Sequence, residues 1–212
     1  MNSSKILSLV ASVLFITTAC TKQKKAESET TEVETTETEA VIEETKESTE
    51  SLGTITWTGT KITGDSHTGT IDIKENNLTF EEGQLTGGSI IVDMTTITDT
   101  DLEGEWKQKL EGHLNSDDFF GTATFPTSTL AIKSIEAGEG DVIKVTADLT
   151  IKETTLEEAF EVTKTEQDGK VSYTAVVEID RTKYNVKYGS SNFFEDLGDK
   201  AINDIFKLEV TL

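Results

Sequence analysis

The side chains best suited to chemistry are the only two histidines of the chain, His67 and His113. Two imidazoles with no thiol beside them are too few for a self-contained zinc or copper site, although carboxylates could complete one. We therefore expect no metal and interpret both histidines as hydrogen-bonding groups at strand and helix ends, with contact to a ligand head group as the alternative. Because no Ser-His-Asp arrangement and no nucleotide-binding glycine loop is present, the sequence predicts neither a catalytic site nor a cofactor.

Two acidic features have ordinary structural interpretations. The run 99–104 resembles the start of a calcium loop, but loop position twelve is Leu110 rather than glutamate and no second helix frames it. We interpret Asp99 as a helix cap, followed by acidic residues in the first turn of a helix over about 101–114. Asp180-Arg181 ends an apolar strand, so we expect Arg181 to pair with a carboxylate near a barrel rim. Contact with a ligand phosphate is the alternative, because a guanidinium matches phosphate geometry.

The stretch 106–126 predicts a pocket mouth. Leu102, Trp106, Leu110 and Leu114 recur every four residues and therefore share one helix face. The turn-forming residues 115–118 end that helix, two phenylalanines follow, and GTATFP predicts a strand that continues to about residue 135. Large apolar side chains therefore surround His113 where the predicted helix meets the predicted strand. Core packing is the alternative role for these aromatic residues. The candidate ligand-binding residues are His67, Trp106, His113, Phe119, Phe120, Phe125, Arg181, Tyr184, Phe193 and Phe194.

Alternating apolar and polar residues predict an all-β fold. Residues 142–152 place Ile143, Val145 and every second residue after them on one face. Turn residues recur about every 8–12 positions, including Asp168-Gly169 and an expected turn at residues 75–77. This pattern indicates an antiparallel sandwich or a closed barrel. One proline in 212 residues also suits long strands.

The N-terminal part is typical of an exported protein. Lys5 and the apolar run 6–16 predict a signal peptide over 1–19, and Thr17-Thr18-Ala19-Cys20 resembles the lipobox of bacterial lipoproteins, with Thr17 where leucine is usual. The alternative is an ordinary signal peptide followed by a free thiol. We expect 20–52 to be a lipidated Cys20 with a disordered acidic Thr/Glu linker, and 53–212 to be one folded domain. The predicted location is the bacterial cell envelope, on a membrane-anchored lipoprotein facing the periplasm or the cell surface.

Net charge excludes two classes of partner. Asp and Glu number 40 against 19 Lys and Arg, a formal net charge of −21. Nucleic-acid binding requires clustered cations that displace counterions, and attachment to anionic lipid requires a basic face. We therefore expect no nucleic-acid partner.

Several motifs resemble the YceI-like family of bacterial lipocalin-like barrels, in order over nearly all of 57–212. They are Ser66-His67-Thr68-Gly69, Gly87-Gly88 with Ile91-Val92-Asp93-Met94, His113 to Phe120 followed by Phe125-Pro126, Ala147 to Lys152, and Ile179-Asp180-Arg181. Ala147, Glu153 and Asn185 stand where the family pattern has glycine, which affects the expected pocket shape.

The resemblance implies an eight-stranded antiparallel lipocalin-like barrel with one short inserted helix. It also implies a long apolar ligand of the polyisoprenoid or isoprenoid quinone type inside the barrel. The predicted function is thus an envelope-anchored lipoprotein, held to the membrane through Cys20, that binds or carries such a lipid. Two alternatives stay open: a structural or interaction module without a lipid ligand, and an accessory of isoprenoid-quinone redox chemistry. A homodimer also stays open.

Overall fold

The computed structural model describes residues 52–212, in which one helix interrupts a series of eight strands. The predicted signal peptide, Cys20 and nearly all of the acidic linker lie outside the described residues. The elements are β1 (Thr54–Thr60), β2 (Ser66–Glu81), β3 (Gln84–Asp99), α1 (Gly104–Asn115), β4 (Thr127–Ala137), β5 (Val142–Ile151), β6 (Thr154–Gln167), β7 (Lys170–Asp180) and β8 (Ile205–Thr211). Two short 3₁₀ turns, Arg181–Tyr184 and Gly198–Lys200, lie between β7 and β8. Within the described residues, no helix is long and apolar enough to span a membrane.

The strands form a closed antiparallel barrel. Each strand pairs with the next along the chain, and β8 returns to pair with β1, so that Trp57 lies opposite Leu208. In β5 the side chains of Val145, Ala147, Leu149 and Ile151 are buried, whereas their neighbours are more exposed. Because successive side chains of a strand point to opposite faces, the apolar set fills the interior and stabilises the barrel by about 25 cal/mol per Å² buried. The all-β barrel with one inserted helix is confirmed.

The expected turn at residues 75–77 is wrong. β2 runs through these residues, and the β2–β3 register shifts between Thr70 and Asp72 and again between Ile73 and Glu75. Such irregularities are typical of bulges, which take up an extra residue and re-aim the side chains that follow. The polar residues can therefore remain in the ladder. The strand reverses instead at Glu82-Gly83, where φ is 49° and 71°.

The helix begins later than predicted. Its first residue is Gly104, and its N-cap, Glu103, makes no side-chain cap. Asp99 Oδ1 instead accepts hydrogen bonds from the backbone N–H groups of Asp101 (3.2 Å) and Leu102 (2.7 Å). Asp99 therefore closes the turn that precedes the helix. Of the predicted acidic residues only Glu105 lies in the first helical turn.

GTATFP is a turn, which corrects the predicted strand. Gly121 adopts a φ of 56°, and its carbonyl accepts hydrogen bonds from the N–H groups of Thr124 and Phe125, both at 2.9 Å. Since these local bonds replace a strand ladder, β4 begins only at Thr127.

The two ends of the barrel differ. At one end the β2–β3 turn is held against the β6–β7 hairpin, because Gly83 O accepts hydrogen bonds from Tyr173 Oη (2.7 Å) and Lys164 Nζ (2.8 Å). At the other end lie α1 and the segment 181–204, and we call this end the mouth. Near the mouth β6 and β7 do not pair with each other, since their ladder runs only from Val162 and Ala175 to the hairpin.

A candidate ligand-binding site in the barrel and its mouth

The barrel encloses an apolar cavity of about 140 Å³, which we call the barrel cavity. All eight strands contribute to its wall. Leu85 and Tyr173 line it near the closed end, and Phe120 and Phe206 line it near the mouth. A cavity of roughly 150 Å³ holds a group the size of benzene and stays dry when its lining is apolar. The interior is thus largely filled by its own side chains, with room left for a small apolar group.

One carboxylate, that of Glu158 in β6, lies in this mainly apolar wall, which also includes Ser128 and Thr174. Its Oε1 accepts a hydrogen bond from Tyr184 Oη at 2.8 Å. Burial raises the pKa of Tyr184, and the hydrogen bond and negative charge of Glu158 raise it further. Tyr184 is fully buried and stays a neutral donor, so it connects the 3₁₀ turn after β7 to β6 where the two strands separate.

A second cavity, of about 400 Å³, lies at the mouth, and we call it the mouth cavity. Its apolar wall includes Trp57 and Leu110, and its polar wall includes His67, His113 and Asn203. The side chains that line both cavities are Ile71, Phe120, Phe206 and Leu208. The two spaces are therefore adjacent, separated by a shared layer of apolar side chains.

An aromatic cluster joins α1 to the segment after β7. The ring of His113 lies edge-on to Tyr188, with 4.3 Å between centroids, and to Phe119, with 5.1 Å. Phe119 is in turn edge-on to Phe120 at 5.6 Å. Edge-to-face pairs of this kind add about 0.5–1.5 kcal/mol beyond the area that they bury. The cluster fixes one wall of the mouth cavity.

Arg181 lies beside this cluster, with its guanidinium carbon 5.6 Å from the centroid of the Phe119 ring. Nη1 donates to the carbonyls of Val186 and Tyr188, both at 2.8 Å, while Nε and Nη2 donate to the carbonyls of Asn203 (3.0 Å) and Ile202 (3.1 Å). Nη2 also lies 3.5 Å from Asp204 Oδ1, which is the predicted carboxylate partner. Burial lowers the pKa of Arg181, opposed by the charges of Asp204 and Asp180. Carbonyls take four of its five N–H donors. Arg181 therefore stabilises the wall of the mouth cavity and has only one N–H donor left for a ligand.

His67 lies at the rim of the mouth cavity beside two aspartates. Its Nδ1 is 3.2 Å from Asp101 Oδ2, and Asp101 Oδ1 accepts the backbone N–H of Thr68, also at 3.2 Å. Burial, together with the adjacent Asp101, raises the pKa of Asp99. Burial also acts on Asp101, but hydrogen bonds with Asp99, Thr68 and His67 outweigh it and lower the pKa of Asp101.

The mouth cavity brings together half of the residues that the sequence singled out. His67, His113, Phe119, Phe120 and Arg181 line it, and Phe120 also lines the barrel cavity. The other five line neither cavity: Trp106, Phe125, Tyr184, Phe193 and Phe194. Trp106 is 69% exposed with Lys109 Nζ 4.8 Å from its ring centroid, which corrects its expected place on a buried helix face. Phe193 and Phe194 are also exposed. A role in ligand contact stays a prediction for all ten residues.

Sequence reasoning missed the part of the wall that long-range packing creates. Trp57 lies opposite Gly69 across β1 and β2, and its Nε1 donates to Thr98 O at 3.2 Å. A Cβ on Gly69 would lie 1.9 Å from Thr98 O and 2.6 Å from the Trp57 ring, so this close approach requires glycine. For Glu158 the alternation of β6 offered a signal, because it falls on the same face as Phe160 and Val162.

An eight-stranded antiparallel barrel with an internal apolar cavity and a polar mouth belongs to the class of small closed barrels that have room for one ligand. Within this class, the sequence model of the YceI-like domain matches residues 25–212. The chain belongs to the YceI-like family, as its motifs predicted.

Related proteins and structures agree with this assignment. UPF0312 proteins of Staphylococcus aureus strains USA300 and NCTC 8325 / PS 47 are each 32% identical over 117 residues, covering 52% of this chain. The chain spans 65% of the length of these relatives. BcnA of Burkholderia cenocepacia matches with a TM-score of 0.60 and 16% identity, over 75% of this chain and 94% of that one. A polyisoprenoid-binding domain of Saccharophagus degradans implicated in plant cell wall breakdown has a TM-score of 0.55 and 13% identity, over 76% and 92% of the two chains. At these identities the structural likeness shows a shared fold.

Proposed function

We propose that the protein binds an amphiphile with a long apolar chain of the polyisoprenoid or isoprenoid quinone type. The chain of the ligand occupies the barrel cavity and its polar end lies in the mouth cavity. The observation that carries this proposal is the adjacency of the two spaces, which share Ile71, Phe120, Phe206 and Leu208 as lining residues. An apolar depth with a few polar groups at one end is typical of sites that bind such molecules. The similar domain of Saccharophagus degradans, described as polyisoprenoid-binding, supports the choice of ligand class.

Binding a long chain requires side chains to move. Each buried methylene contributes about 0.8 kcal/mol, but the barrel cavity of about 140 Å³ has room for only a few carbons. The rings of Phe120 and Phe206 line both cavities and pack edge-to-face, with 6.5 Å between centroids. Rotation of these rings would join the two spaces into one tunnel. Rotamer changes of this kind are common at binding sites whose backbone moves little.

The polar end of the ligand meets a mixed environment. His67 and His113 line the mouth cavity together with Lys61 and Lys200. Neither lysine forms a salt bridge with any residue of the described part of the chain. These two cations outnumber the one carboxylate of the same lining, that of Asp65, and so favour an anionic or strongly polar head group, even though the chain as a whole is acidic.

The N-terminal sequence supports an anchored carrier. In this proposal the signal peptide is removed, Cys20 carries a lipid, and the acidic segment links that anchor to the barrel at the bacterial envelope. The test is the intact mass of the protein recovered from membranes, which should exceed that of the chain beginning at Cys20 by a lipid modification. Cys20→Ser should remove the added mass and release the protein from the membrane fraction. Equal membrane recovery of the two proteins would refute the anchor.

Ligand identity is tested by mass spectrometry of organic extracts from the Cys20→Ser chain, purified without detergent. We expect one isoprenoid-type lipid in near-stoichiometric amount. An extract without lipid, together with no uptake of long-chain isoprenoids added afterwards, would refute the carrier function and favour an interaction module instead.

A further inference from the structure

A histidine and two aspartates converge where β3 leaves the barrel. His67 belongs to β2, Asp99 is the last residue of β3, and Asp101 follows two residues later. One ring nitrogen of His67 and one carboxylate oxygen of each aspartate all lie within 4.8 Å of one another. The side chains come from two strands and the turn after them, so the barrel fold itself brings the three groups together.

Asp99 is the unusual member of this cluster, because it is fully buried and only one of its two carboxylate oxygens accepts a hydrogen bond. Its Oδ1 accepts two backbone hydrogen bonds, whereas Oδ2 is buried and has no hydrogen-bond donor in the described part of the chain. Leaving a buried polar atom without a partner costs about 1–3 kcal/mol, and more for a charged group. The adjacent Asp101 carboxylate is itself an acceptor, so these two groups can satisfy each other only by sharing a proton or a cation.

The distance between His67 and Asp101 suits a shared cation. His67 Nδ1 and Asp101 Oδ2 are 3.2 Å apart. Two ligands that each lie about 2.0–2.2 Å from a tetrahedral ion are themselves about 3.3–3.6 Å apart. A shared ion would therefore require only small movements of these two side chains.

Hydrogen bonds already orient the candidate ligands. Thr68 N–H donates to Asp101 Oδ1 at 3.2 Å, which leaves Oδ2 facing His67. Glu111 of α1 accepts the backbone N–H of Asp99 at 3.0 Å and the hydroxyl of Thr98 at 2.5 Å, so it fixes the end of β3. Partners of this kind orient the ligands in metal sites.

We propose that His67, Asp99 and Asp101 bind a divalent transition-metal cation of the zinc class at the rim of the mouth cavity. A nitrogen ligand with two carboxylates suits zinc, whereas calcium takes six to eight oxygen ligands. Three protein ligands leave one position of a tetrahedral ion open to water or to another molecule. Because His67 also lines the mouth cavity, the ion would add a positive charge at the place where the polar end of a ligand is expected. The metal site does not depend on the lipid proposal.

The direct test is equilibrium dialysis of the full chain against Zn²⁺, with bound metal measured by elemental mass spectrometry. Wild type should bind one ion per chain more than His67→Gln or Asp101→Asn does. Asp118→Asn is the matched control, since Asp118 is exposed and the substitution removes the same charge outside the cluster. Comparison among these variants isolates the cluster, because Cys20 and the acidic N-terminal segment are unchanged in all of them. Equal binding by wild type, His67→Gln and Asp101→Asn would overturn the proposal, as would a site that takes Ca²⁺ in preference to Zn²⁺.

A second test uses Asp99→Asn, which keeps an oxygen for the two backbone bonds and removes the buried charge. In the presence of a chelator this variant should unfold at the same temperature as wild type or higher, because two adjacent carboxylates no longer repel each other. Zn²⁺ at a hundred times its Kd should raise the Tm of wild type by about 5–10 °C and leave that of Asp99→Asn nearly unchanged. If Zn²⁺ shifts neither Tm, or shifts both equally, the metal site is refuted.

Discussion

The barrel cavity and the mouth cavity of this protein are built in different ways. Paired strands form the first, and their alternation gives a wall in which Glu158 is the one carboxylate. The helix α1 and the irregular segment after β7 form much of the second, where histidines, lysines and Asn203 lie among aromatic rings. Burial against an apolar wall contributes binding free energy for any apolar chain that fills the cavity. Polar side chains at fixed positions, in contrast, discriminate between head groups. Under the proposed function, the barrel therefore provides affinity and the mouth provides selectivity.

The largest expected effect concerns the wall of the mouth. Arg181→Ala should lower the free energy of unfolding by about 3–5 kcal/mol, because it removes the buried donor of four carbonyls and the positive charge 3.5 Å from Asp204. Arg181 is only 2% exposed, so water cannot replace it without structural change. Urea unfolding followed by circular dichroism measures the loss. Lys183→Ala, two residues away and exposed, should stay within about 0.5 kcal/mol of wild type. A similar small change for Arg181→Ala would contradict the role given to this network.

Filling the barrel cavity should weaken binding without changing the mouth. Ala175 lines the barrel cavity, whereas the next residue, Val176, is 61% exposed. Ala175→Phe should reduce the affinity for a long-chain probe by more than tenfold, because exclusion of two methylenes already costs about 1.6 kcal/mol. Displacement of a fluorescent long-chain probe measures the affinity, and Val176→Phe is the matched control. If the two variants bind equally well, the chain does not enter the barrel.

A pH-dependent contribution is expected where α1 packs on β3. The hydrogen bond from Thr98 lowers the pKa of Glu111, helped by the Asp99 N–H and Lys107 and opposed by burial. Since the folded protein binds this proton less readily than the unfolded chain, Glu111 stabilises the fold above its unfolded pKa of about 4.3. That stability is lost as pH falls through the lower, folded pKa.

Glu111→Gln should therefore cost about 1 kcal/mol at neutral pH and progressively less below about pH 4. Denaturant unfolding of both proteins at several pH values gives the difference. A cost that stays constant from neutral to acid pH would show that the charge of Glu111 is not involved.

The smallest expected effect is a difference in affinity between ligands with anionic and neutral head groups at the mouth. Lys61→Gln with Lys200→Gln should weaken binding of an anionic-headed amphiphile by about two- to fivefold, because exposed charge pairs contribute about 0.2–1 kcal/mol each. Binding of a neutral-headed analogue of the same chain length should not change, and added salt should reduce the difference. Lys170→Gln, at the β6–β7 hairpin of the closed end, is the control. Equal losses of affinity for both amphiphiles would show that the two lysines do not recognise the charge of the head group.

The barrel itself was predictable because its signal is local and repeated. Two-residue alternation in β5, the Asp168-Gly169 turn and the motifs shared with the YceI-like family all pointed to the architecture that the structure shows. Where prediction failed, a backbone detail overrode the side-chain pattern. Bulges carry β2 through residues 75–77, and the positive φ of Gly121 turns GTATFP away from the sheet.

The site was predictable only where neighbours in sequence are also neighbours in space. His113, Phe119 and Phe120 surround one helix end, so a single stretch revealed them. Trp57 meets Thr98 from 41 residues away, and Tyr184 meets Glu158 from 26 residues away. Such contacts depend on strand register, which the sequence did not specify. Trp106 shares the spacing of Leu110 and Leu114, but only the C-terminal part of the helix reaches the mouth cavity.

The most direct test is a crystal structure of the protein loaded with a long-chain isoprenoid alcohol that carries bromine at its far end. Anomalous scattering locates the bromine independently of how the chain is traced. We predict the bromine beside Leu85, Val145 and Tyr173, at the closed end of the barrel cavity, with Phe120 rotated and the hydroxyl near His67. A bromine on the outer surface, or confined to the mouth cavity with the barrel cavity unchanged, would contradict the proposed function.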